Sequence, residues 1–340
     1  MRVVHLVCST GFAGVERYIV TVASGLASSG DDVVVIGGDA DHMQHALAET
    51  SVQWLPGDDM GEALSSLRSI EPPDILHTHM SQADLVGWLH RRRHRKPQHV
   101  STRHFAGRRG SNPLSRLMFR PVGRSLAAQI AISRFVAENV EPPVEVVHSG
   151  VESTDAAAER RPYVLAAQRL EAEKHTADVI EAWALSRGPA AGWKLRIAGD
   201  GSERRDLEAL ARDRGVAGSV EFLGHRSDVP ALLAEAGIVI APTPREGLGI
   251  LVLEAMAAGA PTVAAAGGGH LETVGAARPD LLFAPGDPAD AARVLDDLLR
   301  DPARRESAGA ALRELQRRQF SVERQVAQTR RVYEHVLVVS

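Results

Sequence analysis

Short apolar runs alternate with helical stretches along this chain, and the alternation restarts near residue 160. The first half reads "RVVHLVC", a helix around 15–29, then "DVVVIGG", "ILHTH", "HVSTRH", "AAQIAIS" and "VEVVHSG". The second reads "YVLAAQRL", a helix near 176–186, "KLRIAGDG", a helix near 203–213, "VEFLG", a helix near 228–236, "GIVIAPT", a helix over 249–258 and "PTVAA". Near-continuous apolar runs separated by helices suit the strands of a parallel sheet covered on both faces. The pattern predicts an α/β chain of two facing, Rossmann-like, doubly wound domains with a central cleft. Their expected bounds are 1–151 for an N-terminal acceptor-binding domain and 152–321 for a C-terminal domain, with a helix over 322–340 that can pack back on the first. The polar stretch "ESTDAAAERR" at 152–161 reads as the linker. At 340 residues and 44% apolar content, each half can bury its own core.

Composition narrows the function classes. The longest apolar runs fall far short of the roughly 20 residues a membrane-spanning helix needs. "MRVVHLVCST" lacks a small-residue cleavage site, so a cytoplasmic protein is expected. A single cysteine, Cys8, can form neither an internal disulfide nor a metal site alone, and it reads as a small buried residue. The net charge of -4 is unevenly spread: no acidic residue lies between Asp84 and Glu138. That interval holds "HRRRHRKPQH" and then Arg103, Arg108, Arg109, Arg116, Arg120, Arg124 and Arg134. Such a patch can attract an anionic membrane surface, an anionic substrate or nucleic acid. Scarce aromatics and the lack of a nucleic-acid signature set the last aside.

Open parallel sheets bind ligands at the carboxyl ends of their strands, so the glycine-bearing strand ends are read together. In "STGFAGVERY", Gly11 and Gly14 let backbone amides approach an anionic group at a helix N-terminus. The loop is not a complete G-x-G-x-x-G dinucleotide fingerprint, and "GGDAD" displaces the acidic residue expected after the second strand. In "QRLEAEKHT", Arg169 and Lys174 can converge on one polyanion. In "AGDGSERRDLE", Gly199 and Gly201 make a turn ahead of a helix, with Ser202 able to cap it.

The last of these stretches is "TPREGLGILVLEAMAAGAP", where Gly247 and Gly249 precede a helix that stops at Gly259. Glu246 then stands at the helix entrance and Glu254 inside it. Eight helical residues span about 12 Å. A retaining hydrolase needs its carboxyls roughly 5–5.5 Å apart and an inverting one about 6.5–9.5 Å, so the pair suits two handles on one long ligand instead. A nucleoside diphosphate sugar has that shape, with hydroxyls at each end and a charged middle.

Taken together, "QRLEAEK", "AGDG" and the stretch from "VEFLGHRSDVP" through "TPREGLGILVLEAMAAGAPTVAAAGGG" resemble the second domain of family 4 glycosyltransferases, retaining enzymes of the GT-B fold. The E-x7-E element is the specific part. The first half is similar in outline only, through "GFAGVE", "ILHTH", "VSTRH" and "AISRFVAENV". The resemblance implies that Glu246 contacts hydroxyls of the transferred sugar and Glu254 the nucleotide ribose. Arg169 and Lys174 would hold the diphosphate, helped by amides at Gly14, Gly201 and around Gly249, namely Gly247, Leu248, Gly249 and Ile250. His225 and Arg226 would border the base. His104 matches a histidine that the family often places beside donor sugar and acceptor, whereas His77 and His79 are expected to line the cleft or the core.

Four departures from the family pattern concern the backbone cradle: Gln168 and His175 where glycine is common, His148-Ser149-Gly150 where Asn-Gly is usual, and "GFAGVE" where a double glycine before Glu is more usual. No Asp-x-Asp pair is read as a metal holder at a strand end, so a metal-independent reaction without a cofactor is expected, the donor being a UDP-sugar or GDP-sugar. The expected partners are that donor and a sugar, lipid-linked or small-metabolite acceptor. A peripheral contact with the inner membrane surface through Arg91, Arg92 and Arg93 is a further expectation, and a nucleic-acid partner is not expected. Competing readings are a nucleotide-sugar sensor without transfer activity, a nucleotide-sugar epimerase, a sugar phosphorylase and a dehydrogenase.

Overall fold

The computed structural model describes residues 1–94, 96–110, 112–154 and 159–339. Contacts divide the chain into two units, Met1–Gly150 with Val322–Ser340, and Val151–Ser321. Linker positions 155–158 and Arg95 of the basic run lie outside the described residues.

The N-terminal unit runs β1 (Arg2–Val7), α1 (Gly14–Ser28), β2 (Asp32–Ile36), α2 (Ala40–Leu47), β3 (Gln53–Leu55), α3 (Met60–Ser69), β4 (Ile75–His79), α4 (Met80–Arg91), β5 (Gln98–Arg103), α5 (Pro113–Arg124), β6 (Ala128–Ala131), α6 (Arg134–Glu138) and β7 (Glu145–Val146). All its strand pairs are parallel, in the order β3-β2-β1-β4-β5-β6-β7. The order reverses between β1 and β4, where Val3 to Val7 pair with Ile75 to His79. A crevice at the carboxyl ends of these two strands follows from that reversal. Val4, Leu6, Val34, Ile36 and Leu76 fill one face of the sheet against Ala63, Leu67, Ala83 and Val86. Cys8 packs at the margin of this cluster and is only half-buried, because β1 has ended at Val7 and the chain is turning out of the sheet.

The C-terminal unit runs β8 (Arg161–Ala167), α7 (Thr176–Leu185), β9 (Lys194–Ala198), α8 (Arg204–Asp213), β10 (Val220–Gly224), α9 (Val229–Glu235), β11 (Ala236–Ala241), α10 (Ile250–Ala257), β12 (Thr262–Ala265), α11 (Val274–Ala277), β13 (Leu282–Phe283), α12 (Pro288–Arg300) and α13 (Pro302–Gln319). Its parallel sheet has the order β10-β9-β8-β11-β12-β13, reversing between β8 and β11. The chain then returns to the first unit as α14 (Val322–Val338). Val326 of α14 lies over Gly25 of α1, where a Cβ would collide with it, so the glycine sets how closely the two helices pack. The edge strands β3 and β13 go beyond the sequence reading: at three and two residues they are too short to show a period.

Candidate functional site

In the C-terminal unit the candidate residues gather on the loops after β8 and β11, the two strands that flank the reversal. Lys174 closes a 3-10 turn, Ala172–Lys174, and its Nζ lies 2.8 Å from Glu246 Oε2. The lysine is 20% exposed and the glutamate 29%, so the pair is partly desolvated yet open to a ligand. Gln168 builds the lysine's loop: its Nε2 donates to the Lys174 carbonyl and to Thr176 Oγ1, each at 2.9 Å. An amide side chain thus supplies a contact that glycine at this position could not. Arg169 takes a different direction, paired with Glu173 at 2.9 Å on an exposed face. The two cations are therefore held by separate carboxylates.

The Glu246 loop rests on a pedestal of three glycines. A Cβ at Gly267 would collide with the Pro244 carbonyl, at Gly268 with the Glu246 carbonyl and at Gly269 with Leu248 Cα. Gly269 N donates to the Glu246 carbonyl at 2.8 Å. Directly after the triplet, His270 is buried and donates from Nδ1 to the Ala265 carbonyl at 3.1 Å. Burial holds its pKa below the ordinary value, opposed by that bond and by the charge of Glu246. His270 is absent from the expected site residues, although a polar residue directly after three glycines at a strand end is a signal the sequence carries.

Gly249 adopts φ +90 and precedes α10, whose first amides receive no side-chain cap. That left-handed residue breaks the continuity assumed between the two glutamates: of the residues from 246 to 254 only 250–254 are helical, so a helical rise does not set the spacing of this pair. Leu248 is buried, while Gly247, Ile250 and Glu254 are half-exposed. Gly201 has a packing role: a Cβ there would collide with the Leu170 carbonyl, as one at Gly199 would with that of Gln168. His225 and Arg226 are exposed, and Arg226 makes a forked pair with Asp228 at 2.8 and 2.6 Å.

In the N-terminal unit Gly14 is the first residue of α1, and a Cβ added to it would meet nothing within 4 Å. Protein packing does not demand glycine there. Beside this loop, Asp39-Ala40-Asp41 follows β2 with Asp-x-Asp spacing, which corrects the reading that no such pair stands at a strand end. Asp39 caps α2, accepting from His42 N at 3.0 Å and lying 2.6 Å from His42 Nδ1, so its carboxylate is committed to the helix terminus.

His104, one residue beyond β5, ends a chain of buried imidazoles. His104 Nε2 is 3.0 Å from His79 Nδ1, and His79 Nε2 is 3.1 Å from His5 Nδ1. His77 lies alongside, with Nδ1 2.5 Å from Tyr333 Oη and Nε2 2.6 Å from Thr102 Oγ1. Burial pushes His5 and His104 down to about 3, and lowers His77 and His79 as well. His5, His77 and His79 bring nitrogens within 4.8 Å of one another, a spacing open to a metal. Both nitrogens of His77 and of His79 already have protein partners, however, so His104, His79 and His5 read as a hydrogen-bonded relay, with His77 beside it and bonded to Tyr333 and Thr102. His77 and His79 are core residues; hydrogen bonds connect His79 to His104 and His5, while His77 meets His5 and His79 through ring contacts only.

Met80 (φ 75) and His175 (φ 55) are the non-glycine residues with positive φ among those described. Met80 directly follows His79 at the end of β4, and His175 directly follows Lys174 at the end of its 3-10 turn. Backbone strain of this kind clusters where side chains are held for function.

Two parallel, doubly wound units with such strand ends define a chain of the GT-B fold. Residues 153–315 match the family described as "Glycosyl transferases group 1", and residues 12–155 match "Glycosyltransferase Family 4". The two matches together span residues 12–315 and support a glycosyltransferase of the family 4 type. It is 34% identical over 137 residues to the 2-deoxystreptamine glucosyltransferase of Streptomyces kanamyceticus, covering 40% of this chain and 35% of that one. It is 33% identical over 201 residues to the glycogen synthase of Mycobacterium tuberculosis, covering 56% and 48%. The chain thus matches under half the length of these curated relatives. Anabaena Alr3699/HepE, solved in complex with UDP and glucose, shares the fold with a TM-score of 0.80 at 20% identity, covering 98% of this chain and 100% of that one.

Proposed function

We propose that this protein transfers a sugar from a nucleoside diphosphate sugar to an acceptor hydroxyl, with retention at the sugar carbon and without a metal. The observation that carries the reading is the Lys174–Glu246 pair at 2.8 Å on the two loops beside the strand reversal. Breaking the sugar–phosphate bond builds negative charge on the departing diphosphate, and a fixed ammonium contributes most where that charge develops. Glu246 keeps the ammonium placed while the site is empty and accepts from sugar hydroxyls when a donor is bound. The uncapped amides of α10 in the C-terminal unit suit a phosphate group, as by itself does the open backbone at Gly14 in the N-terminal unit. Glu254 is assigned to the ribose, Arg169 to the diphosphate on swinging away from Glu173, and His225 and Arg226 to the border of the base. His104 is the residue of the N-terminal unit assigned to the transferred sugar and acceptor. The leaving phosphate takes the acceptor proton on the same face of the ring, so the new bond to the sugar carbon keeps the donor's configuration.

Relatives named as a 2-deoxystreptamine glucosyltransferase and a glycogen synthase support an acceptor hydroxyl on a polyhydroxylated ring, a cyclitol or a sugar. Among the described residues no helix is long and apolar enough to cross a membrane, and we place the reaction in the cytoplasm with a peripheral membrane contact. The test is release of nucleoside diphosphate from UDP- and GDP-sugars in the presence of candidate acceptors, with the anomeric form of the product read by NMR. Glu246→Gln and Lys174→Ala should each lower turnover by about 10²-fold or more. Wild-type turnover in both variants, or an inverted product, defeats the reading.

A further inference from the structure

The helix α5 has the sequence PLSRLMFRPVGR. Leu114, Leu117, Met118 and Pro121 fall at i, i+3, i+4 and i+7, and therefore share one face. Leu114 is 70% exposed, Leu117 57% and Met118 72%, while Phe105 in the preceding loop is 60% exposed. Among the described side chains of the helix, only Val122 is buried.

This stripe is displayed on a fixed element. Asn112 and Ser115 cap the helix reciprocally at 2.9 and 3.1 Å. At the other end Arg91 Nη1 donates to the Ser125 carbonyl at 2.6 Å. The incoming loop is pinned by buried Arg109, which donates to Asp84 and Gln129 at 2.5 Å and to Ser101 at 2.9 Å. Arg91 and Arg109 are thus structural, which corrects the expectation that Arg91 belongs to a surface patch.

The exposed charges of this interval include Arg108, Arg116, Arg120 and Arg124, Arg92 and Arg93 just past α4, Arg134, and Lys96, which pairs with Asp74 at 3.4 Å. Arg116, Arg120 and Arg124 repeat every four residues, and residues 85–137 contain no acidic side chain. A segment with no carboxylate of its own, whose Arg103 and Arg109 pair with Glu141 and whose helix carries an apolar stripe beside Arg116, Arg120 and Arg124, matches a partner that is negative and apolar just beneath. An anionic bilayer has both properties.

We propose that α5 lies in the interface of an anionic lipid membrane, with Leu114, Leu117, Met118 and Phe105 at the acyl boundary and the surrounding arginines on lipid phosphates. The proposal does not depend on which sugar is moved, or on whether one is.

Flotation of the full chain with vesicles tests it. The wild type should float with phosphatidylcholine vesicles containing phosphatidylglycerol and not with pure phosphatidylcholine, and added salt should weaken the binding. Leu117→Glu with Met118→Glu, and separately Arg116→Ser with Arg120→Ser, should each lower the bound fraction about tenfold or more while keeping the wild-type melting transition. If the glutamate pair melts early, Leu117→Ser with Met118→Ser takes its place. A wild type that stays unbound, binds both vesicle types equally, or is matched by the variants overturns the proposal. So does a wild-type dimer that the Leu117 and Met118 variants convert to monomer, since a second copy would then cover the stripe. Nucleotide-sugar thermal shifts on the same variants keep this outcome separate from the transfer reading.

Discussion

His5, His77, His79 and His104 are held neutral in the folded N-terminal unit because burial disfavours the imidazolium form. Once unfolded, each regains the ordinary value of 6.5, so the unfolded chain binds more protons at acid pH. Stability is therefore complete above 6.5 and is lost as pH falls from there towards the displaced values near 3 of His5 and His104. Each group costs about 1.4 kcal/mol per pH unit within that window. The melting midpoint should fall steeply on acidification, and His5→Gln should flatten the slope. An unchanged midpoint from neutral to mildly acid pH would contradict the buried relay. Sequence motifs singled out His104, His77 and His79. His5 escaped, since a histidine inside an apolar strand has no motif around it and its role depends on a neighbouring strand.

Glycine-bearing loops show how far local reading reaches. The helix expected over 249–258 is observed as Ile250–Ala257, because its start and stop signals are short-range. The purpose of individual glycines was not legible, since it depends on which backbone passes beneath them. Gly268 and Gly14 illustrate the two cases. Gly268 has φ +54, and a Cβ on it would collide with the Glu246 carbonyl, so Gly268→Ala should cost about 2 kcal/mol or more in a denaturant titration and also depress transfer. Gly14 has open space, so Gly14→Ala should leave stability unchanged or slightly higher while weakening nucleotide binding about tenfold. Equal stability losses in both variants would show that Gly14 has a packing role after all.

Across the entire chain, the N-terminal unit is completed only by its last helix. Tyr333 is buried on His77, Gly25 receives Val326, and the Gly150 amide donates to Gln325 at 2.7 Å. A chain ended at Ser321 should therefore lose the cooperative unfolding of this unit and keep that of the C-terminal unit, as followed by calorimetry. Two intact transitions after the truncation would show that α14 is dispensable. The helix itself was plain in the sequence, while its destination was left open. Strands, helices and the double βα order follow from the sequence alone, because they rest on periodicities and caps within a few residues of one another. Strand order, and with it the pairing of Lys174 with Glu246 across 72 positions and of His77 with Tyr333 across 256, was decided only by the tertiary structure. The physical reason is that such contacts arise where distant segments share a sheet edge or a core, and no local pattern of residues records which segments those are.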